Sequence, residues 1–596
     1  MKALFAINKY FVIYKWHLLG GLLFIILSNL FALYPAQITR KTIDFIGEAL
    51  KQKAATGESV WQNELLQSFT AQFLQLLFLV IGATILKGLF MFFMRQTIIV
   101  MSRRIEYEQK NEIYEQYQAL PQSFFKQHAT GDMMARISED VGQVRMYVGP
   151  AIMYTLNLIV IFVLTITAMI KVNAELTFYV LIPLPFLSIS IYYVSDIINK
   201  KSLKLQSQLS TISTFVQEAF SGIRVIKGFN REKTFVKNFG DSTNEYYLRS
   251  VDLVKTEATF APLITLLIGL STLITIYIGG KKAILGEITI GNIAEFVMYV
   301  NMLTWPVTSI GWVTSVIQKA AASQQRINEF LQVKSEIVNQ SNDSFQLHGD
   351  IEFRDVSFQY SQTNIQALQK VSFTVKAGQT IGITGNTGSG KSSIAALLAR
   401  VYDVSSGEIL IDGKNIKHIN LTSFKKQIGY VPQDVFLFSD TIRNNITFSA
   451  NSSIEVDVMK VAKQAVLHEN IEQFANAYDT VIGERGITLS GGQKQRLSIA
   501  RAMYANPQLY IFDDCLSAVD TETENQILDN LKKVSKDKTT LMISHRASTI
   551  KNADQILFFD QGQLLEQGTH EELLQLQGRY ADIYNKQQVE LNNSGA

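Results

Sequence analysis

Apolar residues run in six long blocks through the first half of the chain, at about 17–38, 70–94, 148–170, 175–198, 258–280 and 290–314. Each block is long enough to cross a ~30 Å hydrocarbon core as a helix rising ~1.5 Å per residue. Charged connectors separate them, and six such runs are hard to bury in one soluble helical domain. The first block lacks a small-x-small cleavage pattern, so it reads as a retained helix and not a signal peptide. After about residue 320 the pattern changes. Val333 to Gly349 is polar and contains Asn339-Gln340-Ser341-Asn342-Asp343-Ser344; from Asp350 onward, short strand-like runs alternate with helical ones, the signature of an α/β domain. The expected organisation is a six-helix transmembrane domain over 1–332, a linker over 333–349, an α/β domain over 350–585 and a polar tail over 586–596.

Charge gives the membrane half a direction. Basic residues crowd the connector from Arg103 through Arg145, and ten more lie from Lys200 through Lys255. The alternate connectors hold few: Lys171 in one, Lys281 and Lys282 in another, and Arg40, Lys41, Lys51 and Lys53 in the first, offset by Asp44, Glu48, Glu58 and Glu64. By the positive-inside rule, both termini and the two long loops are cytoplasmic. The net charge of +3 over 596 residues reflects that inner-face bias and not nucleic-acid binding. A single cysteine, Cys515, cannot form an intrachain disulfide and suits the reducing cytosol. Both long loops have helical character with few turn signals. They imply membrane helices that continue past the bilayer and carry short lateral helices, expected at Gly131–Arg136 and about Thr211–Gly222.

Chemistry concentrates in the second half. Gly385-Asn386-Thr387-Gly388-Ser389-Gly390-Lys391-Ser392 fills every fixed position of G-x-x-x-x-G-K-[ST], between the apolar run Thr380–Ile383 and the helical run Ser393–Ala399. Glycines let the backbone wrap phosphate oxygens, Lys391 neutralises β/γ charge, and Ser392 can ligate Mg²⁺. Leu509-Tyr510-Ile511-Phe512-Asp513 has the length of a buried parallel strand ending in an acid, a natural Mg²⁺ partner. Ser544-His545 follows another short strand, Thr540–Ile543, and suits a γ-phosphate sensor. Leu489-Ser490-Gly491-Gly492-Gln493 enters a helix reaching about Ala505. Its open backbone N–H groups, a hydroxyl and a helix N-terminus make an anion-binding nest. Ser-Gly-Gly is also a common turn; beside a phosphate loop it reads as half of a site completed by another chain.

On these residues the chain resembles the ATP-binding cassette (ABC) exporters, over nearly its whole length. The resemblance implies a six-helix membrane domain followed by a P-loop ATPase that drives efflux of hydrophobic or amphipathic compounds, drugs or lipids, by alternating access. It implies ATP and Mg²⁺ as cofactors and a second half-transporter chain as partner. Nucleotide contacts fall on Gly385, Asn386, Thr387, Gly388, Ser389, Gly390, Lys391, Ser392 and Ser393. Tyr360, twenty-five residues before Gly385, matches the aromatic that stacks on adenine. Gln433, in Tyr430-Val431-Pro432-Gln433, matches the Q-loop, and Ser490, Gly491, Gly492 and Gln493 match the signature. Ser392, Gln433 and Asp513 are the implied metal ligands; Asp514, His545, Gln433 and Ser490 are the implied catalytic set. Ser517-Ala518-Val519-Asp520 matches the D-loop, and Gly483-Glu484-Arg485-Gly486 resembles the exporter segment before the signature.

One departure carries information. The family usually places Glu after the Walker B acid to orient attacking water, and here Asp514 stands there. Its carboxylate is one methylene shorter, about 1.3 Å of reach, and such a displacement can cost ~10²-fold in rate unless the backbone adjusts. In exporters with unequal halves, an Asp here marks the chain that builds the slow site while lending an intact signature to its partner. A homodimer with two slow sites would give the same sequence. Two further readings stay open: a mainly regulatory, ATP-holding subunit, and an ATP-gated channel. The cargo is not written in the sequence. Phe90, Phe92, Phe93, Tyr154, Tyr192, Tyr193, Trp305 and Trp312 suit apolar cargo but equally suit helix packing. Lys87 and Glu295, charged within expected spans, are candidates for function by position alone.

Overall fold

The computed structural model describes residues 2–56, 64–361, 363–449, 457–483 and 489–594. The chain forms two compact units: Met1–Gln118 with Gly131–Val333, and Ala119–Thr130 with Lys334–Ala596.

The first unit is helical. Its long elements are α1 (Lys15–Thr56), α2 (Glu64–Ala119), α4 (Thr130–Val172), α5 (Ala174–Leu181), α6 (Pro183–Ser221), α7 (Glu232–Ile284) and α8 (Ile290–Leu331). Among the described residues, α1, α2, α4 and α7 contain windows long and apolar enough to cross a membrane. The expected fourth span lies on α5 and α6, which meet at Ile182 before Pro183, since proline cannot donate into the preceding turn. The expected sixth span lies on α8. Leu33 and Ala36 of α1 pack with Met169 of α4, Leu176 and Val180 of α5 and Phe296, Tyr299 and Leu303 of α8. Large apolar side chains such as Trp16, Phe78, Ile85 and Leu273 stay exposed on the outside, as a surface facing lipid requires.

Several aromatics in this unit pack on one another: Phe90 and Phe93 stack on Phe24, and Tyr154 meets Trp305 and Trp312 at 5.3 and 5.5 Å. Glu295 is 1% exposed and bonded to Arg40 (3.2 Å) and to the Tyr299 hydroxyl (2.8 Å). That gives it a structural role, tying α1 to α8. Nearby, Asp44 accepts from the Gly291 N–H at 3.0 Å. Lys87 is exposed.

The long loops differ in detail from expectation. Gly131–Arg136 forms the first turns of the continuous helix α4, which widens to π turns at Arg136–Asp140 and Tyr147–Ala151. The separate short helix is α3 (Gln122–Gln127), which Pro121 starts and extended His128 ends, and its segment belongs to the second unit. Thr211–Ser221 likewise completes α6. The distinct short helix after it is Ile223–Gly228, beyond Gly222. Helices α6 and α7 run antiparallel, held by Lys201–Asp252 (2.8 Å) and by Gln208 on the Ser242 carbonyl (3.0 Å).

The second unit carries two sheets. One is antiparallel, in order β2 (Gln366–Val375), β1 (Ile351–Gln359), β4 (Ser406–Ile411) and β5 (Lys414–Asn415). The other contains β3 (Thr380–Gly385), β6 (Ile428–Val431), β7 (Leu509–Asp513), β8 (Thr539–Ile543), β9 (Gln555–Asp560) and β10 (Gln563–Gly568), in spatial order β10-β9-β3-β8-β7-β6. It is parallel except at the β9–β10 edge. Strand β7 is buried at every position, which is why its sequence is an unbroken apolar run up to the acid. The parallel register sets Ile543 beside both Asp513 and Ile383. The loops leaving β3, β8 and β7 therefore emerge side by side, at the carboxyl ends where α/β sheets bind ligands.

Candidate functional site

The phosphate loop leaves β3 at Gly385 and closes into α9 (Lys391–Leu398). Gly385 has φ +143°, and a Cβ there would lie 1.9 Å from the Phe559 carbonyl oxygen; at Gly390, φ +94°, it would lie 2.2 Å from that of Ala367. Only glycine fits either place. Lys391 is 5% exposed, with Nζ on the carbonyls of Gly385 (3.0 Å) and Asn386 (2.8 Å). Burial pushes its ammonium below the ordinary lysine range, against the pull of Asp514 and Asp513. A charge held on loop carbonyls in this way is ready for phosphate oxygens. Asn386 donates to Asp560 at 3.0 Å; Thr387 and Gly388 are exposed at the loop's crest, and Ser389 is buried beneath it.

Ser392 donates to the Asp513 carboxylate at 3.0 Å, and Asp513 is 3% exposed. Burial raises the Asp513 carboxyl above its ordinary value, with the Ser392 bond and Lys391 opposing and Asp514 adding to the rise. Asp514 follows at φ +48°, its N–H on the Ile543 carbonyl at 2.9 Å. His545, half-buried after β8, has its imidazole pKa pushed below 6.5 by burial and then by Lys391, while Asp514 pulls it up. That direction favours the neutral imidazole, which can donate one hydrogen bond. Cys515, between the Walker B pair and the D-loop, is 4% exposed, and burial pushes its thiol well above the ordinary range.

Tyr360, just past β1, puts its hydroxyl 2.9 Å from Ser393 and its ring edge-on to Phe358 and Tyr402. A cleft beside it is lined by Ser123, Phe358, Tyr402, Asp403 and Val404. Gln433 is exposed on the bend after β6.

The signature lies elsewhere. Ser490 caps α10 (Gly491–Tyr504) in a two-way box: its hydroxyl accepts from the Gln493 N–H at 3.2 Å, and the Gln493 side chain accepts from the Ser490 N–H at 2.9 Å. Gln493 is thereby turned back onto the cap. The Ser490 O–H proton stays available, at the exposed start of the helix with Gly491. Among the described residues, the hydrogen bonds of Ser490 and Gln493 run to each other and into their own helix. None reaches the phosphate loop. Glu484–Gly486 lie outside the described residues.

Sequence reasoning missed the residues that tie these loops together. Gln495, buried on α10, donates to Ser517 (3.1 Å) and accepts from the Ala518 N–H (3.0 Å), fixing the D-loop. Arg546 reaches the carbonyls of Ser517 and Val519 and the carboxylate of Glu524, which is buried at the start of α11 (Thr521–Val534). An Arg directly after the histidine was the one signal the sequence offered for this tie.

Residues 18–307 match the ABC transporter transmembrane region, and residues 368–517 match the ABC transporter family. The chain is 37% identical to the probable multidrug resistance ABC transporter ATP-binding/permease protein YheI of Bacillus subtilis, over 78% of this chain and 80% of that one. The chain belongs to the ABC exporters. It is 31% identical to the ATP-dependent lipid A-core flippase of Photobacterium profundum, over 88% of this chain and 90% of that one. Its fold matches a bacterial Atm1-family ABC exporter with ATP bound, at TM-score 0.77 and 25% identity, over 96% of this chain and 99% of that one. The exporter binds ATP in its C-terminal α/β domain and couples ATP hydrolysis to transport. It is a cell-membrane protein with a cytoplasmic ATPase.

Proposed function

We propose that this chain is one half of a heterodimeric exporter of hydrophobic or amphipathic compounds, and that it holds ATP at its own phosphate loop while its signature completes the partner's productive site. The observation that carries this reading is the setting of Asp514. Its N–H is fixed to Ile543 at 2.9 Å, and its φ of +48° is a conformation Asp tolerates better than most side chains. A pinned backbone does not move to recover the missing ~1.3 Å of reach, so water is poorly oriented at this site. The signature has its cap intact and offers the Ser490 hydroxyl and the Gly491 and Gly492 N–H groups to a phosphate on the facing chain.

Tyr360 faces adenine, and the backbone and side chains of Gly385–Ser393 surround the phosphates. Lys391 passes from the loop carbonyls to the β/γ oxygens, and neutral His545 donates to the γ-phosphate. Ser392 and Asp513 present adjacent oxygens suited to a hard cation, and a dication relieves the cost of ionising buried Asp513. They would hold Mg²⁺ with Gln433, and the ion would neutralise β/γ charge. Closure around two ATPs must favour the closed dimer over the open one by a few kcal/mol to switch its populations. The curated relatives named for multidrug resistance and for lipid A-core flipping support apolar or amphipathic cargo.

The test is ATPase activity of the transporter with its co-purified partner. Asp514→Glu should leave turnover nearly unchanged, and Ser490→Ala should abolish it. The reverse result rejects the assignment.

A further inference from the structure

The C-terminal helix α12 (Arg579–Ser594) runs into the stretch 586–596 that the sequence suggests is only a polar tail, and there its Gln587 reaches the loop after β8 that carries His545. Gln587 donates its amide N–H to the His545 carbonyl at 2.7 Å and accepts the Ala547 N–H on its amide oxygen at 2.9 Å. We propose that Gln587 is a positioning residue for His545: a two-ended amide clamp through which the seating of α12 sets the direction of the imidazole toward the nucleotide.

The clamp is set from a rigid base. Tyr580, fully buried at the start of α12, bonds His570 through its hydroxyl at 2.8 Å. The Glu566 carboxylate on β10 accepts the N–H groups of Arg579 (2.6 Å) and Tyr580 (3.1 Å). Two turns later the same helix delivers Gln587. On the opposite side, the Ser544 N–H is held by the Ile383 carbonyl of β3 at 3.1 Å, and the Ser544 hydroxyl accepts the Arg546 N–H at 3.0 Å. Arg546 itself is anchored on Glu524 and the D-loop. The peptide plane after His545 is therefore held at both ends, its carbonyl by Gln587 and its N–H by the Ser544 hydroxyl, and the 543–544 peptide one residue earlier is tied to β3. Rotating the His545 carbonyl away from Gln587 would turn the adjoining backbone and swing the imidazole with it. A single side chain serving both a carbonyl and an N–H two residues apart is the geometry that fixes such a turn. A reversed amide would lose both bonds.

The inference rests on His545 facing bound nucleotide, and its test separates the two ideas. Release of the fluorescent analogue mant-ATP, with Mg²⁺, is measured by stopped flow from the full-length transporter in nanodiscs with its co-purified partner. Gln587→Leu should speed release about fivefold, the scale of one lost hydrogen bond. Amide exchange over residues 544–550 should quicken with it. Gln587→Glu keeps the acceptor for Ala547 but sets a carboxylate oxygen against the His545 carbonyl, so it should speed release at least as much as Gln587→Leu. On a His545→Ala background, Gln587→Leu should change release no further, because the residue acts through the imidazole. Unchanged release in Gln587→Leu, or an effect that adds fully to His545→Ala, overturns the clamp. If Lys391→Ala leaves mant-ATP binding intact, the nucleotide site is misassigned instead.

Discussion

At the scale of the residue, His545 sits between a cation and an anion that pull its proton equilibrium in opposite directions. Lys391 lowers its pKa and Asp514 raises it. Lys391→Ala should move the imidazole back toward the ordinary 6.5, and Asp514→Asn should push it further down. NMR titration of labelled histidine, with His545→Gln identifying the resonance, reads both; equal shifts in one direction would contradict the geometry. The sign for stability follows. Because the folded value is depressed, the contribution is present above pH ~6.5 and is lost as pH falls through the folded value. Lys391, Ser392, Asp513 and His545 were legible in the sequence because each sits in a local motif next to its own strand. Gln495, Glu524 and Gln587 were not, since each acts on a loop more than twenty residues away, and no local pattern marks such a partner.

At the scale of the element, the signature is a helix start before it is a binding site. Ser490 and Gln493 satisfy each other's backbone donors, so part of the cost of Ser490→Ala is a lost cap worth ~1 kcal/mol. Ser490→Asp separates the two roles, because Asp caps as well as Ser but sets a carboxylate against phosphate. Thermal stability should hold, and turnover should fall tenfold or more, since like charges at ~4 Å cost ~1–4 kcal/mol. Loss of stability with activity retained would reject the anion-site reading. Strands β3, β7 and β8 agree with their sequence runs to within two residues, because continuous burial writes itself as unbroken apolar sequence. The short loop helices were harder to place. The stop at Pro121 and the break at Gly222 decide where helices begin and end, and amphipathic pattern alone continues across both.

At the scale of the whole molecule, an exporter and a gated channel differ in what ATP hydrolysis accomplishes. In inside-out vesicles containing the transporter and its partner, a fluorescent amphipathic dye should accumulate against its gradient. Lys391→Ala should abolish both that accumulation and dye-stimulated ATPase activity. Downhill flux persisting without hydrolysis would favour the channel. The burial of Cys515 has a practical consequence for such work. With one cysteine in 596 residues, inaccessible and resistant to ionisation in the fold, the wild-type chain is already a silent background for thiol labelling. Within this chain, a maleimide reporter on Ser361→Cys or Gln433→Cys would mark that position alone. Delayed reaction at Cys515 would then time the opening of the junction between the Walker B strand and the D-loop, giving each preparation an internal clock of its own integrity.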